Sequence, residues 1–161
     1  MTAAEFNKCV DEHSDNVYRF ILKNIRDEEK ARDIVQDTFE KLWVKADSVS
    51  YEKVRSYLFS AAYHTMIDAI RKEKKMKSLE EVDENPPSYQ QSYKGLSDIL
   101  DTALRRLPET QRSVLMLRDY EGYSYQEIGE ITGLNESQVK VYIYRARVAM
   151  KNFIGSLETV L

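Results

Sequence analysis

The sequence holds little that could cross-link a chain or break a helix: one cysteine, three prolines and five glycines in 161 residues. With Cys9 as its sole thiol, no internal disulfide or cysteine-pair zinc site can form, and a lone cysteine on a helical stripe reads as a small buried hydrophobe. Breaks are few and no segment alternates as a strand does, so the chain reads as all-α. No apolar run approaches the length of a membrane span, and the N-terminus is polar from Glu5 onward. The expectation is a cytoplasmic protein without membrane insertion. Chemistry is equally scarce: there is no glycine-rich phosphate loop and no nucleophile elbow. His13 and His64 follow Val10 and Ala61 at the spacing where helical di-metal enzymes place glutamate. A non-enzyme with no cofactor and no metal site is expected.

Net charge is −3, at first sight unsuited to nucleic acid, whose phosphates call for a basic surface. Distribution matters more than the sum. Arg71, Lys72, Lys74, Lys75 and Lys77 are opposed locally only by Glu73, whereas Asp27, Glu28, Glu29, Asp33, Asp37 and Glu40 gather negative charge elsewhere. The chain has one basic and one acidic pole, although charge runs are more commonly just solvated helix faces.

Periodicity places a first helix over about Ala3 to Asn24, with Phe6, Val10, His13, Val17, Phe20 and Ile21 on one stripe. Asp27 caps a second, whose stripe of Ala31, Ile34, Val35, Thr38, Phe39 and Leu42 closes near Trp43. A third stretch runs from near Glu52 to about Lys77. Residues 79–95 change character, being acidic and rich in Pro, Ser and Gln, and read as a flexible linker. Beyond it, Ser97 is expected to cap a helix ending at Leu107, and Pro108 to open another that reaches Tyr120. The architecture expected is two small helical bundles, 1–78 and 96–161, joined by the acidic linker.

The most informative segment is Tyr123 to Arg147. Ser124 with Glu127, and Asn135 with Gln138, are two helix starts close together. One short helix must lie between them. Ile128 and Ile131 supply its apolar face, Gly129 allows close packing and Gly133 ends it. In the helix that follows, Val139 and Ile143 face inward while Lys140, Val141, Tyr144 and Arg145 share the outer side. That is a helix-turn-helix suited to the major groove, although helix pairs that bind only protein share the pattern. Upstream, Tyr57, Phe59 and Tyr63 precede the basic cluster. Rings and cations together suit an unpaired strand, but helical spacing alone favours core for these aromatics.

Taken together, these motifs resemble the extracytoplasmic-function group of bacterial sigma factors, compact members of the sigma-70 family. Asp33-Ile-Val-Gln-Asp-Thr-Phe39 with Trp43 resembles the helix of region two, and Ser56-Tyr-Leu-Phe with Ile67-Asp-Ala-Ile-Arg71 its promoter-melting helix. Leu107-Pro-Glu-Thr-Gln-Arg112, Gly122-Tyr-Ser-Tyr-Gln-Glu-Ile128 and Val139-Lys with Arg145-Ala-Arg147 resemble region four. The resemblance implies a factor that binds core RNA polymerase, at the β′ clamp and the β flap, and directs promoter recognition, melting and initiation.

It also implies roles for residues: Asp33, Gln36 and Asp37 on polymerase, and Tyr57, Tyr63, His64, Arg71, Lys72, Lys74 and Lys75 on the minus-ten element. Ser137, Gln138, Lys140, Val141, Tyr144, Arg145 and Arg147 would meet the minus-thirty-five element, and an anti-sigma factor is an implied partner. His64 stands where many relatives have asparagine, and Val141 and Tyr142 where serine and arginine are common. The second change shifts readout toward apolar contact with thymine methyls. The competing reading is a stand-alone dimeric helix-turn-helix regulator, which would bind palindromic sites without polymerase.

Overall fold

The computed structural model describes residues 1–79 and 95–158, and these are helical with no strand among them. Apart from Leu79 and Gly95, the expected linker lies outside the described residues. The first bundle comprises α1 (Ala3–Ile25), α2 (Glu28–Val44) and α3 (Val54–Leu79), the last entered through a single 3-10 turn at Tyr51–Lys53. The second comprises α4 (Leu96–Arg105), α5 (Glu109–Asp119), α6 (Tyr125–Thr132) and α7 (Glu136–Glu158).

The expected stripes are the cores. Val17, Phe20 and Ile21 of α1, Ala31 and Leu42 of α2, and Leu58, Ala62 and Met66 of α3 are fully or almost fully buried, as is Cys9. In the second bundle Leu104, Val114, Leu117, Ile128, Val139, Ile143 and Ala146 close a second core. Each buried Val, Leu, Ile, Phe or Met side chain among them contributes about 1.5–3 kcal/mol on leaving water.

Boundaries follow local capping chemistry. Thr2 starts α1 with a reciprocal capping box to Glu5. The helix runs one residue past Asn24 and ends at Ile25, where Arg26 adopts a left-handed φ of 63° and returns its N–H to the carbonyl of Leu22. Asp27 then caps α2 by accepting from the N–H of Lys30. Two expectations are corrected. Ser97 does not cap α4: the extended Gly95 holds that place without a side-chain bond, α4 starts at Leu96, and it stops at Arg105 rather than Leu107. Pro108 is the residue before α5 and not its first helical one, since its ψ of 150° is extended.

The two bundles pack against each other, α1 on α4 and α5, and α3 on α6. A ring ladder crosses the seam, Phe20 to Phe59 at 5.6 Å and Phe59 to Tyr123 at 5.8 Å, both edge-on. Around it, Ser60 donates its hydroxyl to the carbonyl of Ile131 at 3.0 Å, and Arg112 donates to the carbonyl of Asn24 at 3.0 Å.

Candidate nucleic-acid interface

The helix-turn-helix is built from three local devices. Ser124 accepts from the N–H of Glu127 while the Glu127 carboxylate accepts from the N–H of Ser124, each at 3.1 Å. These two bonds hold the Glu127 carboxyl below its ordinary range. Gly133 turns the chain at φ +82°, where side chains are disfavoured. Gly129 is required by the turn itself: a Cβ there would sit 2.8 Å from the carbonyl oxygen of Leu134. The third device starts α7, where Asn135 and Gln138 exchange bonds of 2.8 and 3.0 Å.

On α7, Val139 and Ile143 are buried while Lys140, Val141, Tyr144 and Arg145 are exposed, as their spacing requires. Val141, Tyr144 and Val148 form an apolar strip along this outer face, with exposures of 44%, 70% and 39%. Lys140 and Arg145 lie beside it, so the face offers methyl and ring surface between cations. Ser137 is open to solvent. Gln138 uses its side-chain oxygen in the cap. Arg147 pairs with Asp119 at 2.7 Å, which raises its pKa.

On α3 the sequence-derived residues divide. His64, Arg71, Lys72, Lys74 and Lys75 are exposed and Tyr57 is half-buried. Phe59 and Tyr63 are core, at 0% and 6% exposure. Tyr63 is covered by the second bundle: Thr110 of α5 and Tyr142 of α7 lie near it, and burial pushes the phenol above its usual pKa. His64 sits edge-on to Tyr63 at 5.2 Å, with its ring 4.0 Å from the space beside Gly133. Aromatic residues at helical spacing here form core, and in this arrangement Tyr63 is closed to a stacking base.

Asp33, Gln36 and Asp37 are exposed on α2, with Gln36 donating to Glu40 at 3.4 Å. Asp37 joins Glu40, Lys41, Val44, Lys45 and Tyr57 around an open groove of about 490 Å³. At its end Trp43 and Val44 are exposed, at 56% and 81%, and Trp43 stands edge-on to Phe6 at 5.0 Å. Sequence reasoning gave no seam role to the polar residues that join the two bundles. Asn24, Arg55, Arg112, Ser113 and Glu121 are polar residues of ordinary type, and their neighbours are 66 to 92 positions away. No described helix is long and apolar enough to cross a membrane.

Comparison with known proteins agrees with this geometry. The model of sigma-70 region 2 matches residues 9–76, and that of sigma-70 region 4 matches residues 97–150. The RNA polymerase sigma factor SigV of Bacillus subtilis is 29% identical over 153 residues, covering 93% of this chain and 91% of the relative. YlaC, another B. subtilis RNA polymerase sigma factor, is 30% identical over 144 residues, covering 84% of this chain and 83% of its own. Among solved structures, the sigma factor RpoE in complex with the anti-sigma factor NepR from Bartonella quintana superposes with a TM-score of 0.78 at 23% identity, over 93% of this chain and 96% of that one. CnrH in complex with the cytosolic domain of CnrY gives a TM-score of 0.67 at 22% identity, over 94% and 88%.

Proposed function

The chain belongs to the sigma-70 family of RNA polymerase sigma factors, in its extracytoplasmic-function group, which directs promoter recognition and transcription initiation, and we propose that it does so through four surfaces. Residues 1–78 form the region-two domain. In it Asp33, Gln36 and Asp37 meet the β′ clamp of core polymerase, while α3 holds the melted minus-ten element. Residues 96–161 form the region-four domain, which meets the β flap and lays α7 in the major groove of the minus-thirty-five element. Residues 79–95 link the two.

The observation that carries this reading is the outer face of α7, where Lys140, Val141, Tyr144 and Arg145 are exposed together beyond a capped, glycine-bounded turn. Phosphate contacts from the cations set the register, and base-edge contacts specify the sequence. Lacking the hydroxyl that serine would offer, Val141 selects by contact with a methyl group. On α3, Arg71, Lys72, Lys74 and Lys75 track the backbone of the opened strand, and Tyr57 and His64 meet its unpaired bases, joined by Tyr63 once the second bundle that covers it has moved away. The factor has no catalytic activity of its own, acts in the cytoplasm and is held in reserve by an anti-sigma factor.

The test is reconstitution with bacterial core RNA polymerase. The purified protein should co-elute with core enzyme and give discrete run-off transcripts from genomic fragments. The Gln36→Ala, Asp37→Ala double variant should lose both. A protein that ignores polymerase yet binds palindromic duplex DNA by itself would instead be a dimeric regulator.

A further inference from the structure

Arg118 and Asp119 are successive residues at the end of α5, and each holds a different helix of the helix-turn-helix. The Arg118 guanidinium lies 4.8 Å from the centre of the ring of Tyr125, the first residue of α6, and donates to the carbonyl of Tyr123 at 2.9 Å. Asp119 takes the other helix, accepting from Arg147 of α7 at 2.7 Å. Tyr125 also lies near Arg147, and Lys140 stands 5.9 Å from the centre of its ring. The end of α5 thus grips α6 and α7 together.

Arg147 is three residues beyond Tyr144 and seven beyond Lys140, which puts it on the same side of α7 as both. Spacing therefore sets it in line for DNA, and the family resemblance assigns it to the minus-thirty-five element. Its charge, however, is already answered. A guanidinium held by a carboxylate at 2.7 Å meets a phosphate only by giving up that carboxylate, which would then face the phosphates unpaired.

The buried side chains of Val139, Ile143 and Ala146 set how deeply α7 is seated. Apolar contact is non-directional, so it leaves the roll of the helix about its own axis loosely fixed. A charged pair has direction, and this one acts on the outer side, where roll displaces side chains most.

We propose that Arg147 is a positioning residue and not a DNA contact: braced by Asp119, it sets the roll of α7 and so the aim of Val141, Tyr144 and Arg145 at base edges. The inference rests on the promoter-binding reading of α7 given above. It gives Arg147 a part in sequence discrimination, whereas a phosphate contact adds affinity for any duplex. Fold stability is a separate matter, because the two side chains are 50% and 44% exposed and such pairs hold a fold only weakly.

The test compares full-length native protein with Arg147→Gln, Asp119→Asn and the double variant. The probes are the duplex element that the native protein selects from a random-sequence pool and a scrambled duplex of the same composition. Where only the complex with core polymerase selects an element, that complex is titrated. Anisotropy over a salt series gives the affinity ratio of the two duplexes and the salt slope, and thermal unfolding gives the midpoint.

The ratio should fall about threefold in each single variant, within what an exposed pair can supply. It should fall no further in the double variant, because both changes break one interaction. Salt slope and midpoint should stay native. A ratio that stays native in either single variant overturns the inference alone, as does a slope lower by about one counterion in Arg147→Gln, the mark of a phosphate contact. Losses that sum in the double variant, or that follow a lowered midpoint, also overturn it. No element selected, by the protein alone or with core polymerase, overturns the promoter reading of α7 and this inference with it.

Discussion

Arg112 reaches across the seam to donate to the backbone carbonyl of Asn24 at 3.0 Å, and its other terminal nitrogen donates to the carbonyl of Leu107 at 3.1 Å. One guanidinium thus ties the end of α1 to the turn before α5. Asn24 completes the knot, accepting from the Ser113 hydroxyl at 3.2 Å and donating to the carbonyl of Phe20 at 2.8 Å. The group is buried, so its hydrogen bonds cannot be exchanged for water without movement of the bundles.

Arg112→Ala should therefore be costly, because it strands two buried carbonyls that now accept from a cation, each such bond contributing about 1.5–3 kcal/mol. Arg112→Lys keeps the charge but not the two-armed fork, and should recover only part of the loss. Urea denaturation of both variants measures this. An alanine variant as stable as the native protein would show that the knot contributes nothing.

Three glycines give a prediction with two signs. Gly133→Ala places a side chain at φ +82° and should cost about 1–2 kcal/mol. Gly129→Ala drives a Cβ into the Leu134 carbonyl and should cost about 1–3 kcal/mol. Gly155→Ala, in α7 with open space around it, should stabilise by about 0.5–1 kcal/mol. Thermal unfolding of the three variants tests the ordering, and destabilisation by Gly155→Ala would contradict it.

On promoter DNA, replacing the thymine that faces Val141 by uracil removes one methyl group. The native protein should bind about fourfold more weakly, from roughly 0.8 kcal/mol per buried methyl. Val141→Ser should bind both duplexes alike. Lys140→Ala should lower the salt dependence by about one counterion whatever the sequence. Anisotropy titrations over a salt series measure both effects, and indifference of the native protein to uracil at every thymine of the element would remove the methyl contact.

His13 lies on the α1 stripe, and burial lowers its pKa from 6.5, with nearby Arg55 lowering it further against the opposing pull of Glu12. Above pH 6.5 the ring is neutral both folded and unfolded, and its contribution is whole. As pH falls below 6.5 the unfolded chain takes up a proton first, so stability declines until the folded-state pKa is passed. The carboxylates held low by their partners, Glu73, Glu109 and Glu127, lose their contribution only further down, as pH drops through and below 4.5. Urea midpoints taken in steps below pH 6.5 should fall for the native protein and flatten for His13→Gln. Identical slopes would assign that pH dependence elsewhere.

Much of the site was readable in advance because it is built from short-range chemistry. The two capping pairs, Ser124 with Glu127 and Asn135 with Gln138, act over three residues, and α7 divides into inner and outer faces by its own period. The aromatic residues of α3 were less legible. Spacing placed Phe59 and Tyr63 in a core, whereas the family resemblance, carried by motif order and not by period, placed Tyr63 at a base.

Local sequence by itself determined the helices, their stripes, the turn at Gly133 and the exposed face of α7, since capping, periodicity and glycine conformation act within a few residues. It also carried enough motif order to identify the family. Only the tertiary structure decided that α3 is closed against α6, that Arg55 lies between rings of two bundles, and that every described ion pair across the seam sets a cation of the first bundle against a carboxylate of the second. The reason is distance along the chain: these partners stand 35 to 78 positions apart, where hydrophobic period and capping rules carry no information.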